Sequence, residues 1–287
     1  MRGYGRAAAM VALLLILLPV AGHAADNKSF DVSVGLGFEF TSGDYGTGTR
    51  TNSVFVPFTV AVMPTERWGL SLEIPYVYQS NTNVIAGQFR QMQGQSMGTQ
   101  TITAAMTGSG MGSGTIRSSS NSNPSAAQSG IGDITFRTGY VLIQEGSAIP
   151  QIRPNLFVKI PTADKAKGLG TGEFDEGVAV EISKWFGDWY AFVEPGYTIQ
   201  GKTSDIPLKN YLNYNVGAGY QVSDKFLPLF ILKGSTAPAE GSTALLEARL
   251  KLKYQATKHT GIEGYLAKGI TTSSPDYGTG LALFYDF

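Results

Sequence analysis

The sequence predicts an all-β protein, a transmembrane antiparallel up-and-down β-barrel of about twelve strands behind an N-terminal signal peptide. Three observations carry this reading. The chain closes on Leu281-Ala282-Leu283-Phe284-Tyr285-Asp286-Phe287, in which Leu281, Leu283, Tyr285 and Phe287 share one face of an extended strand. About a dozen segments alternate in the same way, each near the ~9–11 residues a tilted strand needs to cross a bilayer. The connections between them alternate between short turns and long Gly/Ser/Thr-rich loops.

The N-terminus comes first in order. Arg2 and Arg6 form a positive region, residues 7–20 a short apolar core, and Gly22-His23-Ala24 a small-residue cleavage site. This is the pattern of a secretory signal peptide over residues 1–24, since the apolar run is too short to span a bilayer as a helix. Residues 25–287 then form a single barrel domain. Losing Arg2 and Arg6 takes the formal net charge from 0 to about −2. With no basic excess, nucleic acid is excluded as a partner. The absence of cysteine excludes disulfides, thiol catalysis and thiolate metal sites. Sparse charge and abundant glycine fit either a soluble β-protein or a membrane barrel, so periodicity has to decide.

The first segment, 30–40, places Phe30, Val32, Val34, Leu36, Phe38 and Phe40 on one face against polar or small partners. Next come 54–63 and 68–78, where Trp68, Leu70, Leu72, Ile74, Tyr76 and Tyr78 share a face. Further strands are expected at 132–143, 151–161, 175–185, 189–200, 211–222, 226–233, 243–254, 261–271 and 278–287. In 226–233 both faces are apolar, so alternation leaves its register open. Lys268 falls on the lipid-facing parity and would have to snorkel to the outer rim.

Short turns are expected at 64–66, 145–149, 186–188, 223–225 and 256–259, and long loops at 41–53, 80–130, 162–174, 201–210, 234–242 and 272–277. Short periplasmic turns and long external loops are the habit of outer-membrane barrels, and an even strand count puts both termini on the periplasmic side. Aromatic residues gather at both ends. Trp68, Trp185, Trp189, Tyr254 and Phe287 form the expected periplasmic belt, and Phe38, Phe40, Tyr76 and Tyr78 the outer one. The closing strand also resembles the C-terminal signal by which bacterial outer-membrane barrels are recognised by their assembly machinery. Partners implied are that machinery, outer-membrane lipid and lipopolysaccharide.

Parity defines the interior. Candidate lumen and selectivity residues are Asp133, Arg137, Arg153, Lys159, Glu181, Glu194, Glu247, Arg249 and Lys251, joined by Asn155, Asn213, Asn215 and Lys253. A tight turn at Gly187-Asp188 sets Glu181 opposite Glu194. Like charges directly opposite destabilise a sheet, so compensation is expected from Arg153 and Arg137. That cluster reads either as a network stiffening the wall or as a selectivity filter. Loop 80–130 carries only Arg90 and Arg117 as charges and reads as a mobile external loop, or else as a lumen constriction offering Met92, Met97, Met106 and Met111 to a substrate.

Catalytic candidates are few. His259, the one histidine beyond the signal peptide, falls in a periplasmic turn, away from the outer rim where a lipid-modifying barrel needs its base. Gly168-Leu169-Gly170-Thr171-Gly172 lacks the strand-to-helix setting of a phosphate loop and reads as an ordinary external loop. Asp164, Glu173, Asp175 and Glu176 could hold a divalent cation there, but a solvated acidic loop is the default. No catalytic residue, metal site or cofactor is assigned.

Several segments bear a family resemblance. Gly130-Ile131-Gly132-Asp133, Val158-Lys159-Ile160-Pro161-Thr162, Gly168-Leu169-Gly170-Thr171-Gly172, Ser183-Lys184-Trp185-Phe186-Gly187-Asp188-Trp189, Pro195-Gly196-Tyr197 and Ser274-Pro275-Asp276-Tyr277-Gly278 resemble the outer-membrane family labelled "putative MetA-pathway of phenol degradation". The likeness is best over 130–287 and has no counterpart for loop 80–130. It implies an outer-membrane barrel associated with uptake of aromatic or other hydrophobic compounds, and supplies no catalytic residues. The expected function is a passive, porin-like outer-membrane channel for small molecules. The alternatives are a plugged structural or surface-display barrel and a lipid-modifying barrel enzyme.

Overall fold

A computed structural model describes residues 31–85, 126–204 and 206–287. The expected signal peptide, Phe30 and the heart of loop 80–130, with its two arginines and four methionines, lie outside the described residues.

The strands are β1 (Asp31–Gly43), β2 (Thr51–Thr65), β3 (Trp68–Gln79), β4 (Gln128–Ile131), β5 (Ile134–Tyr140), β6 (Gln151–Ile160), β7 (Asp175–Phe186), β8 (Trp189–Ile199), β9 (Tyr211–Tyr220), β10 (Phe226–Ser235), β11 (Leu245–Gln255), β12 (Thr260–Gly269) and β13 (Tyr277–Asp286). Each pairs antiparallel with its neighbours, and β1 pairs with both β2 and β13, which closes the sheet on itself. Because β4 and β5 both pair with β3, they are one interrupted strand, so the barrel has twelve. Closure satisfies the ladder of every strand, the condition for backbone to sit in hydrocarbon.

Alternation sorts side chains as the sequence predicts. Leu36, Phe38, Leu72, Leu250, Leu266, Leu281 and Leu283 are exposed on the outer surface, while Glu39, Glu73, Arg153, Lys159, Glu181 and Glu194 are buried inside. This inverts a soluble protein: the apolar face meets lipid and the polar face fills the lumen. The barrel is therefore an outer-membrane protein, its short turns gathered at the end expected to be periplasmic. Inside, several rings lie flat over a glycine of the next strand. A Cβ at Gly177, Gly217 or Gly280 would strike Phe157, Phe192 or Tyr265.

Three sequence expectations change. First, the strand expected over 132–143 is broken. The β3 ladder shifts by one residue between Tyr76↔Ile131 and Glu73↔Thr135, which makes Gly132-Asp133 a β-bulge. The Gly132 amide still bonds to the Pro75 carbonyl at 2.8 Å, and a Cβ at Gly132 would meet Val77 and Pro75. Bulges re-aim a side chain, here Asp133. Second, Trp185 is not in the lipid belt. It packs inside against Tyr190, ring centroids 5.0 Å apart, beside Leu227, Leu229 and Ile231. Its neighbour Phe186 takes the outward position at 62% exposure, along with Trp189, Tyr254 and Phe287. Trp185 shares the strand parity of inward-facing Glu181 and Ser183, which outweighs its place beside the turn. Third, the register of β10 is settled: Leu227, Leu229, Ile231 and Lys233 point inward and Phe230 outward. Lys268 does face lipid, opposite Tyr277 at the outer rim.

Candidate functional site

The lumen wall is a set of polar rows set by register. Along one row Arg153 stands opposite Glu181, Glu181 opposite Glu194, Glu194 opposite Asn215, Asn215 opposite Lys233 and Lys233 opposite Glu247. Glu194 accepts from two amides, Asn215 Nδ2 of neighbouring β9 at 3.0 Å and, across β7, Asn155 Nδ2 of β6 at 3.4 Å. The Arg153 side chain crosses Gly139 of β5, where a Cβ would fall 2.6 Å from its Nε. The missing side chain lets the guanidinium lie along the wall. The compensation expected for Glu181 and Glu194 is thus supplied by Arg153. Arg137 pairs with Glu73 of β3 at 3.6 Å, an acid the sequence reading did not single out.

A second group lies on β11, β12 and β1. Glu247 and Arg249 form an ion pair, and Arg249 also sits 4.9 Å over the Tyr265 ring. Tyr265 Oη donates to Glu39 at 3.1 Å. Lys251 and Lys253 share Glu263 at 2.9 and 3.4 Å. Glu39, Glu73, Asp175 and Glu263 all obey the parity that found the other lumen residues, and extending that rule to every strand would have found them; Lys233 lies on β10, whose register alternation leaves open.

A third group stands at the external mouth, where three of the motif segments meet. Lys159 Nζ reaches Asp175 at 2.9 Å, Asp133 at 3.1 Å and the Thr171 hydroxyl at 3.2 Å. The bulge delivers Asp133 and is pinned from the β6–β7 loop. Thr162 Oγ1 donates to the Gly132 carbonyl at 2.8 Å, and the Ala163 amide donates to Asp133 at 3.0 Å. The segment 168–172 is therefore no ordinary external loop. It turns into the mouth, where Leu169 is buried with Phe55, Val77 and Ala163. The Gly168 carbonyl accepts from Gln79 Nε2 at 3.2 Å. Gly168 and Gly172 have φ of +67° and +74°, backbone that favours glycine, and a Cβ at Gly170 would press on Ala163 and the Asp133 carboxylate. Of the acidic residues around this loop, Asp175 is engaged by Lys159, and Asp164 caps a short 3-10 turn through the Ala166 and Lys167 amides. A further apolar cluster of Ile85, Ile206, Leu208, Tyr211, Ala239 and Leu245 closes another part of the mouth.

The charges of both signs interleave around the wall, so the interior presents no single-signed field. Arg153, Lys159 and Glu181 are at most 2% exposed, so these charged side chains are almost fully covered. Apolar clusters lie at both ends: Phe55, Val77 and Leu169 at the mouth, Tyr190, Leu227, Leu229 and Ile231 near the periplasmic turns. His259 lies in its periplasmic turn, its Nδ1 2.8 Å from the Asp286 carbonyl and its ring stacked on Tyr285.

The sequence pattern of the family described as "Putative MetA-pathway of phenol degradation" matches residues 78–287. The fold is similar to the crystal structure of an outer membrane channel from Pseudomonas putida F1, with a TM-score of 0.62 and 11% identity over 92% of this chain and 99% of that one. It is also similar to the KdgM porin in complex with disordered oligogalacturonate, with a TM-score of 0.50 and 8% identity over 89% and 99%. At these identities the likeness is one of fold. Among curated proteins nothing matches the chain.

Proposed function

This chain belongs to the "Putative MetA-pathway of phenol degradation" family, and on that premise we propose that it is a passive outer-membrane channel for small aromatic or other hydrophobic compounds rather than an enzyme. One observation carries the reading: a polar, charge-balanced lumen runs between an apolar cluster at the mouth and an aromatic-apolar cluster near the periplasmic end. A small molecule with an apolar body and one polar group finds weak partners for both along this path. Weak, repeated binding is what conduction requires. The family's description and the channel fold of its structural relatives support the same reading. No cofactor is called for.

The partners follow from the outer surface. Its apolar band would contact lipid, and Lys268 at the outer rim the phosphates of lipopolysaccharide. The C-terminal strand would be read by the barrel assembly machinery through outward-facing Phe287.

The near-complete burial of Arg153, Lys159 and Glu181 favours a second reading, a plugged structural barrel. Planar-bilayer recordings separate the two. A channel gives discrete conductance steps and speeds swelling of liposomes in benzoate above that in a disaccharide. A folded barrel that leaves the bilayer at its protein-free baseline, with no swelling, rejects the channel.

A further inference from the structure

We infer that the strap Gly168–Gly172 occupies the channel's outer ligand subsite as a built-in stand-in for substrate, and that a small apolar compound bearing a hydroxyl group displaces it. This rests on the channel reading above and says what its mouth binds.

The strap offers two chemical groups to the barrel. The Leu169 side chain, 3% exposed, covers inward-facing Phe55 and Val77, themselves 3% and 2% exposed. Two residues on, the Thr171 hydroxyl meets Lys159 Nζ at 3.2 Å. An apolar body and a hydroxyl at that spacing are what a phenol-like molecule presents. Asp133 and Asp175 hold Lys159 in place from both sides, so the ammonium stays aimed at whichever hydroxyl fills the Thr171 position. The strap is also built to leave. Its backbone amides bond locally, Gly168 to the Lys165 carbonyl and Leu169 to the Asp164 carbonyl, Gln79 reaches the Gly168 carbonyl from the wall, and two φ-positive glycines bracket Leu169 and Thr171. The Asp133–Lys159–Asp175 ion knot lies on strands and the bulge, so it persists when the strap moves. A ligand shifts this equilibrium only by its preference for the vacated subsite over the occupied one. Phenol satisfies both halves of the subsite, whereas toluene satisfies only the apolar half.

The chain has no cysteine, which permits a clean test on the full-length protein in liposomes. In a Val77→Cys variant the new thiol lies beneath Leu169 and reacts slowly with a membrane-impermeant thiol reagent. Phenol should speed the labelling about tenfold and toluene much less. Adding Lys159→Met should erase the difference between the two compounds. A Glu240→Cys variant, exposed on an external loop, reports any direct effect of either compound on the reagent. A Leu169→Cys variant repeats the measurement from the strap side should Val77→Cys disturb the barrel. Labelling indifferent to phenol, equal acceleration by phenol and toluene, or a preference that survives Lys159→Met each overturns the inference. The readout needs no conduction. A barrel that shows the phenol effect yet passes no current keeps this inference and loses the channel, and a conducting barrel without the effect does the reverse.

Discussion

Arg153 stands directly opposite Glu181 in the β6–β7 ladder, and neither side chain reaches solvent. With Glu194 next along the row, one cation is set against two carboxylates. Removing one member of a buried charge group costs about 3–5 kcal/mol, because the others are left uncompensated. Arg153→Met should lower barrel stability by that order in urea unfolding. Replacing Glu181 and Glu194 with Gln at the same time should recover much of the loss. Full additivity of the three substitutions would show that the row is not a coupled network.

Gly139 tests the same row from the wall. Its Cβ position is taken by the Asn155 side chain and the Arg153 guanidinium. Gly139→Ala should therefore cost about 1–3 kcal/mol, the range for overpacking a filled interior. Gly146→Ala, whose added Cβ comes no nearer than 4.0 Å to Ile149, serves as a nearly neutral control.

The two tryptophans around the β7–β8 turn should behave as opposites. Trp185→Ala opens a space beside Tyr190 and should cost about 3–5 kcal/mol, whereas Trp189→Ala removes an outward ring and should cost far less. Brominated lipid should quench the fluorescence of Trp189 but not that of Trp185. Equal quenching would put both rings in the belt.

Thr162 ties the β6–β7 loop to the bulge through the Gly132 carbonyl and the Ile134 amide. Thr162→Val keeps the shape but leaves these groups without that partner, at about 1–3 kcal/mol. Recordings of this variant should show larger or more frequent openings than the parent, since the mouth is held less firmly. An unchanged current would mean that the bulge does not hold the mouth.

Phe287 is 70% exposed on the outer surface, and its amide bonds to the Val32 carbonyl at 2.9 Å. Deleting it should lower the amount of barrel assembled in cells while barely changing the stability of what is purified. Equal assembly of both forms would remove the proposed role of the C-terminal residue.

The aromatic ending, the strand count and the outward face were legible because strand periodicity and bilayer thickness act locally, residue by residue. Parity likewise assigned Arg153, Glu181, Glu194, Lys251 and the other lumen candidates to the inner face, and the turn at Gly187-Asp188 fixed the Glu181–Glu194 juxtaposition. Local signals conflicted at Trp185. Its place beside a tight turn suggested the lipid belt, whereas alternation along β7 puts it on the inner face with Glu181 and Ser183, and alternation prevails. The two apolar faces of β10 were told apart by packing: Leu227, Leu229 and Ile231 gather with Tyr190 inside, on the same side as Lys233 of that strand.

The sequence by itself determined the compartment, the barrel and the sign of each face, since alternating polarity against a lipid solvent leaves one workable closure. Only the tertiary structure decided what the interior does. The bulge at Gly132-Asp133, Lys159 and the strap from Gly168 to Gly172 come from three separate segments, and the bulge reaches the other two through a one-residue shift in a ladder. That shift is set by the packing of Gly132 on Pro75 and Val77, a contact between strands that no pattern within either strand records.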